Sequence, residues 1–139
     1  MTASPGLRRM LDTNTVSQII RSAPATIRGR LAATPMADVC ISAITEGELR
    51  FGLARRPEAV RLAEAIGEFL LRVDILPWDS AAAASYGLLR RSLEAAETPL
   101  GALDTLIAAH AMAVDAVLVT SDVAFSRAPG LAVEDWAAP

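Results

Sequence analysis

Apolar residues along the chain alternate between short continuous runs and longer stretches with helical spacing. Arg9 to Asp12 is the first run and reads as a strand, after which Thr15 to Arg21 reads as a helix. Pro24 suits the start of a further helix, which Ala25 to Ala33 continues. Thr34-Pro35-Met36 marks a turn, and Val39 to Ser42 is the second strand run. A helix through Glu48, Leu49, Phe51 and Leu53 stops near Arg56-Pro57, because a proline drives the residue before it out of the helical region. Between Glu58 and Leu71 the apolar residues Val60, Leu62, Ala63, Ile66, Phe69 and Leu70 again have helical spacing. Val73 to Leu76 forms a third strand, and Asp79 or Ser80 can cap the long helix that follows to about Ala96. Thr98 to Gly101 is a loop, and Ala102 to Ala113 is a strongly apolar helix. Ala116 to Thr120 is a continuous apolar run of the kind buried in parallel sheets. A short turn or helix spans Asp122 to Phe125, and Leu131 to Glu134 reads as an edge strand.

Strands alternating with helices predict an α/β fold with a parallel sheet of four or five strands, covered by helices on both faces. No repeat or linker interrupts the pattern, so residues 1–139 are expected to form a single domain, with Met1 to Arg8 as a loose lead-in. No apolar run approaches the roughly 20 residues that span a bilayer, and the first residues lack the apolar segment of a signal peptide. The expectation is a soluble cytoplasmic protein with no membrane partner.

Composition narrows the chemistry. Cys40 is the only cysteine and His110 the only histidine, which excludes a disulfide framework, a thiolate zinc site and any mechanism needing two histidines. All 13 basic residues are arginine, so P-loop and Schiff-base lysines are excluded as well. A net charge of −3 argues against a purely electrostatic nucleic-acid binder, but not against an enzyme with an acidic metal pocket.

Ligands of open α/β sheets bind beyond the carboxyl ends of the strands. Asp12 stands at such an end, Glu48 and Asp122 follow other strands, and Asp104 opens a helix. Taken singly, each acid reads equally as a helix cap or turn residue; jointly they point to convergence on one pocket.

The stretches that carry these acids are Leu11-Asp12-Thr13-Asn14, Ser42 to Gly52, Gly101 to Ala111 and Leu118 to Phe125, with Pro129 to Trp136 closing the chain. Together they resemble the motifs of PIN-domain ribonucleases, and most of all the VapC-type toxins of type II toxin–antitoxin pairs. The resemblance runs from Met10 to Trp136. It implies a PIN-like sheet and an acidic pocket of Asp12, Glu48, Asp104 and Asp122 that holds Mg²⁺ or Mn²⁺. It also implies hydrolysis of RNA phosphodiesters by metal-activated water, leaving a 5′-phosphate and a 3′-hydroxyl. The implied partners are a VapB-like antitoxin, a transfer or ribosomal RNA substrate and a second copy of the chain.

Thr13, Asn14, Thr120 and Ser121 are expected to orient the carboxylates or their waters. Glu46 and Glu48 lie about 200° apart around a helix, so both cannot face one pocket. The family pattern places its acid just before Leu49-Arg50, which selects Glu48. The competing reading of Glu48 is a capping box with Thr45. Arg50, Arg55 and Arg56 are expected to reach RNA phosphates. His110, Trp78 and Trp136 are expected to be structural. Two other functions compete. One is an aspartate phosphotransferase of haloacid-dehalogenase type, which Asp12-Thr13-Asn14-Thr15 resembles, although that family's second Asp and its lysine are missing. The other is a catalytically dead binding module of the PIN fold, which the presence of all four acids disfavours.

Overall fold

The computed structural model describes residues 7–139. Of the expected lead-in, Met1 to Gly6 lie outside the described residues, while Leu7 and Arg8 carry no regular structure. The elements run β1 (Arg9–Leu11), α1 (Thr13–Ser22), α2 (Ala25–Ala33), β2 (Val39–Ser42), α3 (Ala43–Ala54), α4 (Val60–Arg72), β3 (Asp74–Leu76), α5 (Ser80–Ala95), α6 (Ala102–Ala113), β4 (Val117–Val119) and β5 (Val133–Glu134). Single 3₁₀ turns occupy Met36–Asp38 and Val123–Arg127.

The five strands form one parallel sheet in the order β3-β2-β1-β4-β5. Successive side chains of a strand point to opposite faces, and this sorts the core into two layers. Met10, Cys40 and Leu118 pack with Leu89, Leu93, Ile107 and Phe125 on the α5–α6 side. Leu11, Val39, Ile41 and Val119 pack with Val16, Ile27, Leu49 and Ile66 on the α1–α4 side. Each of the large side chains here that is fully buried stabilises the fold by about 1.5–3 kcal/mol.

The chain winds one way from β1 to β2 and β3, and the other way to β4 and β5. The strand order therefore reverses between β1 and β4, where an open sheet leaves a crevice beyond its carboxyl ends. The backbone is stitched across that point: Asp12 N–H donates to Val119 O at 3.1 Å, and Thr15 Oγ1 donates to the same carbonyl at 3.2 Å.

Two helices end alike. Glu97 and Asp115 follow α5 and α6 with φ of +54° each. Behind them, Thr98 N–H reaches Leu93 O at 3.1 Å and Ala116 N–H reaches Ala111 O at 2.9 Å. This is the Schellman arrangement, whose left-handed residue is most often glycine.

Candidate active site

Asp12 leaves β1 as the N-cap of α1 and is only 4% exposed. Its Oδ1 accepts from Thr15 N–H at 2.8 Å. Its Oδ2 accepts from the hydroxyl of Thr120, just past β4, at 2.5 Å. The cap and the pocket readings of Asp12 are thus compatible: one oxygen caps, and the other is turned toward the reversal point. Thr120 Oγ1 also accepts from Asp122 N–H at 3.0 Å, so one hydroxyl joins two of the acid-bearing segments. Asp122 itself caps the 3₁₀ turn, its Oδ1 accepting from Ala124 N–H at 2.9 Å.

Glu48 lies in the second turn of α3. Thr13 Oγ1 donates to its Oε1 at 2.5 Å, and Thr45 Oγ1 lies 3.3 Å from the Thr13 hydroxyl. The capping box is corrected here. Strand β2 runs directly into α3, so Ser42 is the N-cap, its Oγ accepting from Ile44 N–H at 3.1 Å. Thr45 is already a buried residue inside the helix, and Glu48 is left free of cap duty. Glu46 points elsewhere and is held by Arg50 at 2.8 Å.

Asp104 sits in the first turn of α6. Burial raises its carboxyl above the ordinary range, and the charges of Asp122, Glu48 and Asp12 raise it further. The four acids therefore share one electrostatic neighbourhood, although they come from four separate elements. No group of three or more His, Cys, Asp or Glu side chains among the described residues is drawn together as a ready-made cage. The carboxylates of Asp12, Glu48 and Asp122 instead turn toward the hydroxyl and backbone N–H groups just described. The donor set is all oxygen, the kind that suits Mg²⁺ or Mn²⁺ rather than softer ions.

The expected supporting residues divide. Thr13 and Thr120 touch acids of the pocket, whereas Ser121 donates to Asp135 at 2.8 Å. Asn14 is exposed beside Asp122, lining a shallow depression with Ser17, Arg21 and Ser121. Arg50 is turned away to Glu46, but Arg55 and Arg56 line a cavity of about 320 Å³ together with Thr13 and Glu48. Arg21 lines that cavity too. Sequence reasoning passed over it, although Thr13, Ser17 and Arg21 recur every four residues along one side of α1.

The remaining polar singletons serve packing. His110 is buried in α6, its Nδ1 lying 2.8 Å from Ser42 Oγ, and burial lowers its basicity. Cys40 is buried in β2, and burial raises its thiol to about 11. Trp136 is buried, and Trp78 Nε1 donates to Leu106 O at 3.0 Å.

Comparison with known proteins places this geometry. The family model described as PIN domain matches residues 9–131. The tRNA(fMet)-specific endonuclease VapC of Salmonella typhimurium is 37% identical over 131 residues, covering 94% of this chain and 98% of the relative. The protein of the same description from Shigella flexneri is 36% identical with the same coverage. Among solved structures, DNA-bound VapBC from Salmonella typhimurium matches with a TM-score of 0.88 and 36% identity, over 94% of this chain and 99% of that one. VapBC2 from Rickettsia felis, bound to a promoter DNA fragment, matches with a TM-score of 0.85 and 31% identity, over 92% and 98%. These matches set the aspartate-phosphotransferase reading aside. On the evidence of both its acid-lined sheet reversal and these relatives, the chain belongs to the PIN-domain family, among the VapC ribonucleases.

Proposed function

We propose that this chain is the toxin of a toxin–antitoxin pair, an endoribonuclease that depends on Mg²⁺ or Mn²⁺ and acts in the cytoplasm. The observation that carries the reading is the hydrogen bonding at the sheet reversal, where Thr120 joins Asp12 to the Asp122 segment and Thr13, beside Asp12, holds Glu48, with Asp104 near enough for their charges to raise its carboxyl. Acids set against one another across a sheet reversal favour a cation that offsets their repulsion. Asp12, Glu48, Asp104 and Asp122 would hold the ion. A divalent ion so held supplies a more acidic bound water and charge to match the phosphate.

The chain's own residues prepare the pocket. Thr120 and Thr15 N–H fix both oxygens of Asp12, and Thr13 fixes Glu48. Those hydrogen bonds keep the carboxylates aimed before substrate arrives. The single histidine is buried against Ser42, so carboxylates carry the proton traffic at the pocket.

The two relatives described as tRNA(fMet)-specific endonucleases support transfer RNA as substrate, and a ribosomal RNA loop fits the same chemistry. The VapBC neighbours support a VapB-like antitoxin as partner, and the chain is expected to form a homodimer within that complex. Purified chain freed of any partner is expected to cut transfer RNA with Mg²⁺ or Mn²⁺ and to stop when EDTA is added. Undiminished cleavage in EDTA overturns the metal requirement, and intact RNA under all conditions overturns the ribonuclease reading.

A further inference from the structure

Two concavities flank α1. The one on the α3–α4 side is lined by Thr13, Ser17, Arg21, Glu48, Arg55 and Arg56, among others. The one on the opposite side is lined by Asn14, Ser17, Arg21, Ser121 and Asp122, among others. Each therefore reaches one acid of the pocket, Glu48 on one side and Asp122 on the other. Ser17 and Arg21 belong to both, so they form the crest that separates them.

Thr13, Ser17 and Arg21 are spaced four residues apart, which stacks them along one side of a helix. From Thr13 to Arg21 the crest rises roughly 12 Å. It starts at the hydroxyl that fixes Glu48 and ends in an exposed guanidinium. Arg21, Arg55 and Arg56 form no ion pair among the described residues, unlike Arg8, Arg9, Arg30, Arg50 and Arg72. The cavity on the α3–α4 side thus presents three cations free of ion pairs among the described residues, with Arg55 lying over the Phe51 ring, against one carboxylate, beside a pocket that is otherwise acidic. That sign change matches a polyanion whose reacting phosphate enters the acid pocket while its flanking phosphates need positive charge.

We infer that Arg21 is a substrate-positioning residue: it holds a flanking phosphate of RNA as the strand crosses α1 between the Glu48 side and the Asp122 side of the pocket. The inference rests on the ribonuclease reading above and extends it to a residue on the crest of α1. Arg55 and Arg56 supply the neighbouring charge on the α3–α4 side. Ser17 offers a hydroxyl to the same backbone. Phosphate contacts of this kind position a strand without reading its sequence.

The test separates binding from cleavage. RNA affinity is measured by fluorescence anisotropy in a Glu48→Gln background, with single-stranded RNA at several salt concentrations and with Arg21 intact, Arg21→Gln or Arg21→Lys. Arg21→Gln is expected to weaken binding about tenfold and to lower the salt slope by about 0.7, the value of one lost single-strand phosphate contact. Arg21→Lys keeps the charge and is expected to recover most of both. In the cleaving protein, Arg21→Gln should raise KM while kcat at saturating RNA stays within about threefold. Its Mn²⁺ affinity and melting temperature should be unchanged. Unchanged RNA affinity and salt slope in Arg21→Gln overturn the inference, as does a variant that loosens only an antitoxin complex. Absence of cleavage in the unsubstituted protein would count against the ribonuclease reading instead, because the affinity arm does not depend on turnover.

Discussion

The hydroxyl of Thr120 donates to Asp12 Oδ2 at 2.5 Å across 108 residues of sequence. It joins the ends of β1 and β4 at the sheet's reversal and fixes the most buried acid of the pocket. Thr120→Val keeps the shape but leaves a buried carboxylate oxygen without its donor. Stability should fall by about 1–3 kcal/mol, and cleavage by about 10- to 100-fold. Thr120→Ser should recover most of both. Denaturant unfolding together with kcat/KM for the two variants checks this, and a valine variant with full activity would remove Thr120 from the site.

The two glutamates of α3 make a sharper pair. Glu48→Gln should abolish cleavage while the protein stays folded, because Glu48 faces Thr13 and the pocket. Glu46→Gln loses only an exposed pair with Arg50, of the i,i+4 kind worth about 0.3–0.5 kcal/mol, and should cleave nearly as well as the parent. Circular dichroism and an RNA cleavage assay on both variants decide it. The opposite ranking would mean that Glu46 is the residue of the site.

Glu134 predicts an acid-labile link. Burial raises its carboxyl, but hydrogen bonds from Trp136 and Arg9 and the charges of Arg9 and Arg30 outweigh that and hold it below its ordinary 4.5. A carboxylate lowered in the folded state stabilises the fold above its unfolded pKa and loses that contribution as pH falls through the folded value. Glu134→Gln should therefore be less stable than the parent at pH 7, with the gap closing below about pH 4. Urea unfolding at both pH values measures the gap. A gap that stays constant with pH would show that packing, not charge, makes the difference.

Glu97 and Asp115 hold left-handed backbone at the ends of α5 and α6. Glycine adopts this conformation without strain, so Glu97→Gly and Asp115→Gly should each stabilise by up to about 1 kcal/mol. The larger gain is expected at Glu97, since Asp tolerates the left-handed region better than Glu. Thermal melts of the single variants test the sign, and a lowered melting temperature in both would refute it.

Much of this arrangement was legible in the residues themselves. Val39–Ser42 and Ala102–Ala113 stand where their largely apolar composition put them. The opposed directions of Glu46 and Glu48 followed from the helical angle alone. What stayed hidden depends on tertiary approach. The start of α3 shifted to Ser42 because β2 enters the helix without a loop, and no local signal marks that. Ser121 found Asp135, 14 residues on, only because β5 pairs with β4. Arg21 carried a readable spacing from Thr13, but the concavities on both sides of it exist only once α3, α4 and the segment after β4 are packed around α1.

The distance in sequence between Asp12 and Thr120 also sets when the proposed ribonuclease site can be completed during synthesis. Asp12 emerges from the ribosome early. Its partner, and Asp122 with it, emerge more than a hundred residues later. Until then the central strand has no β4 beside it and Asp12 has only half of its hydrogen bonds. A nascent chain that cuts RNA would be harmless for most of its synthesis, with the last strands acting as the step that arms it.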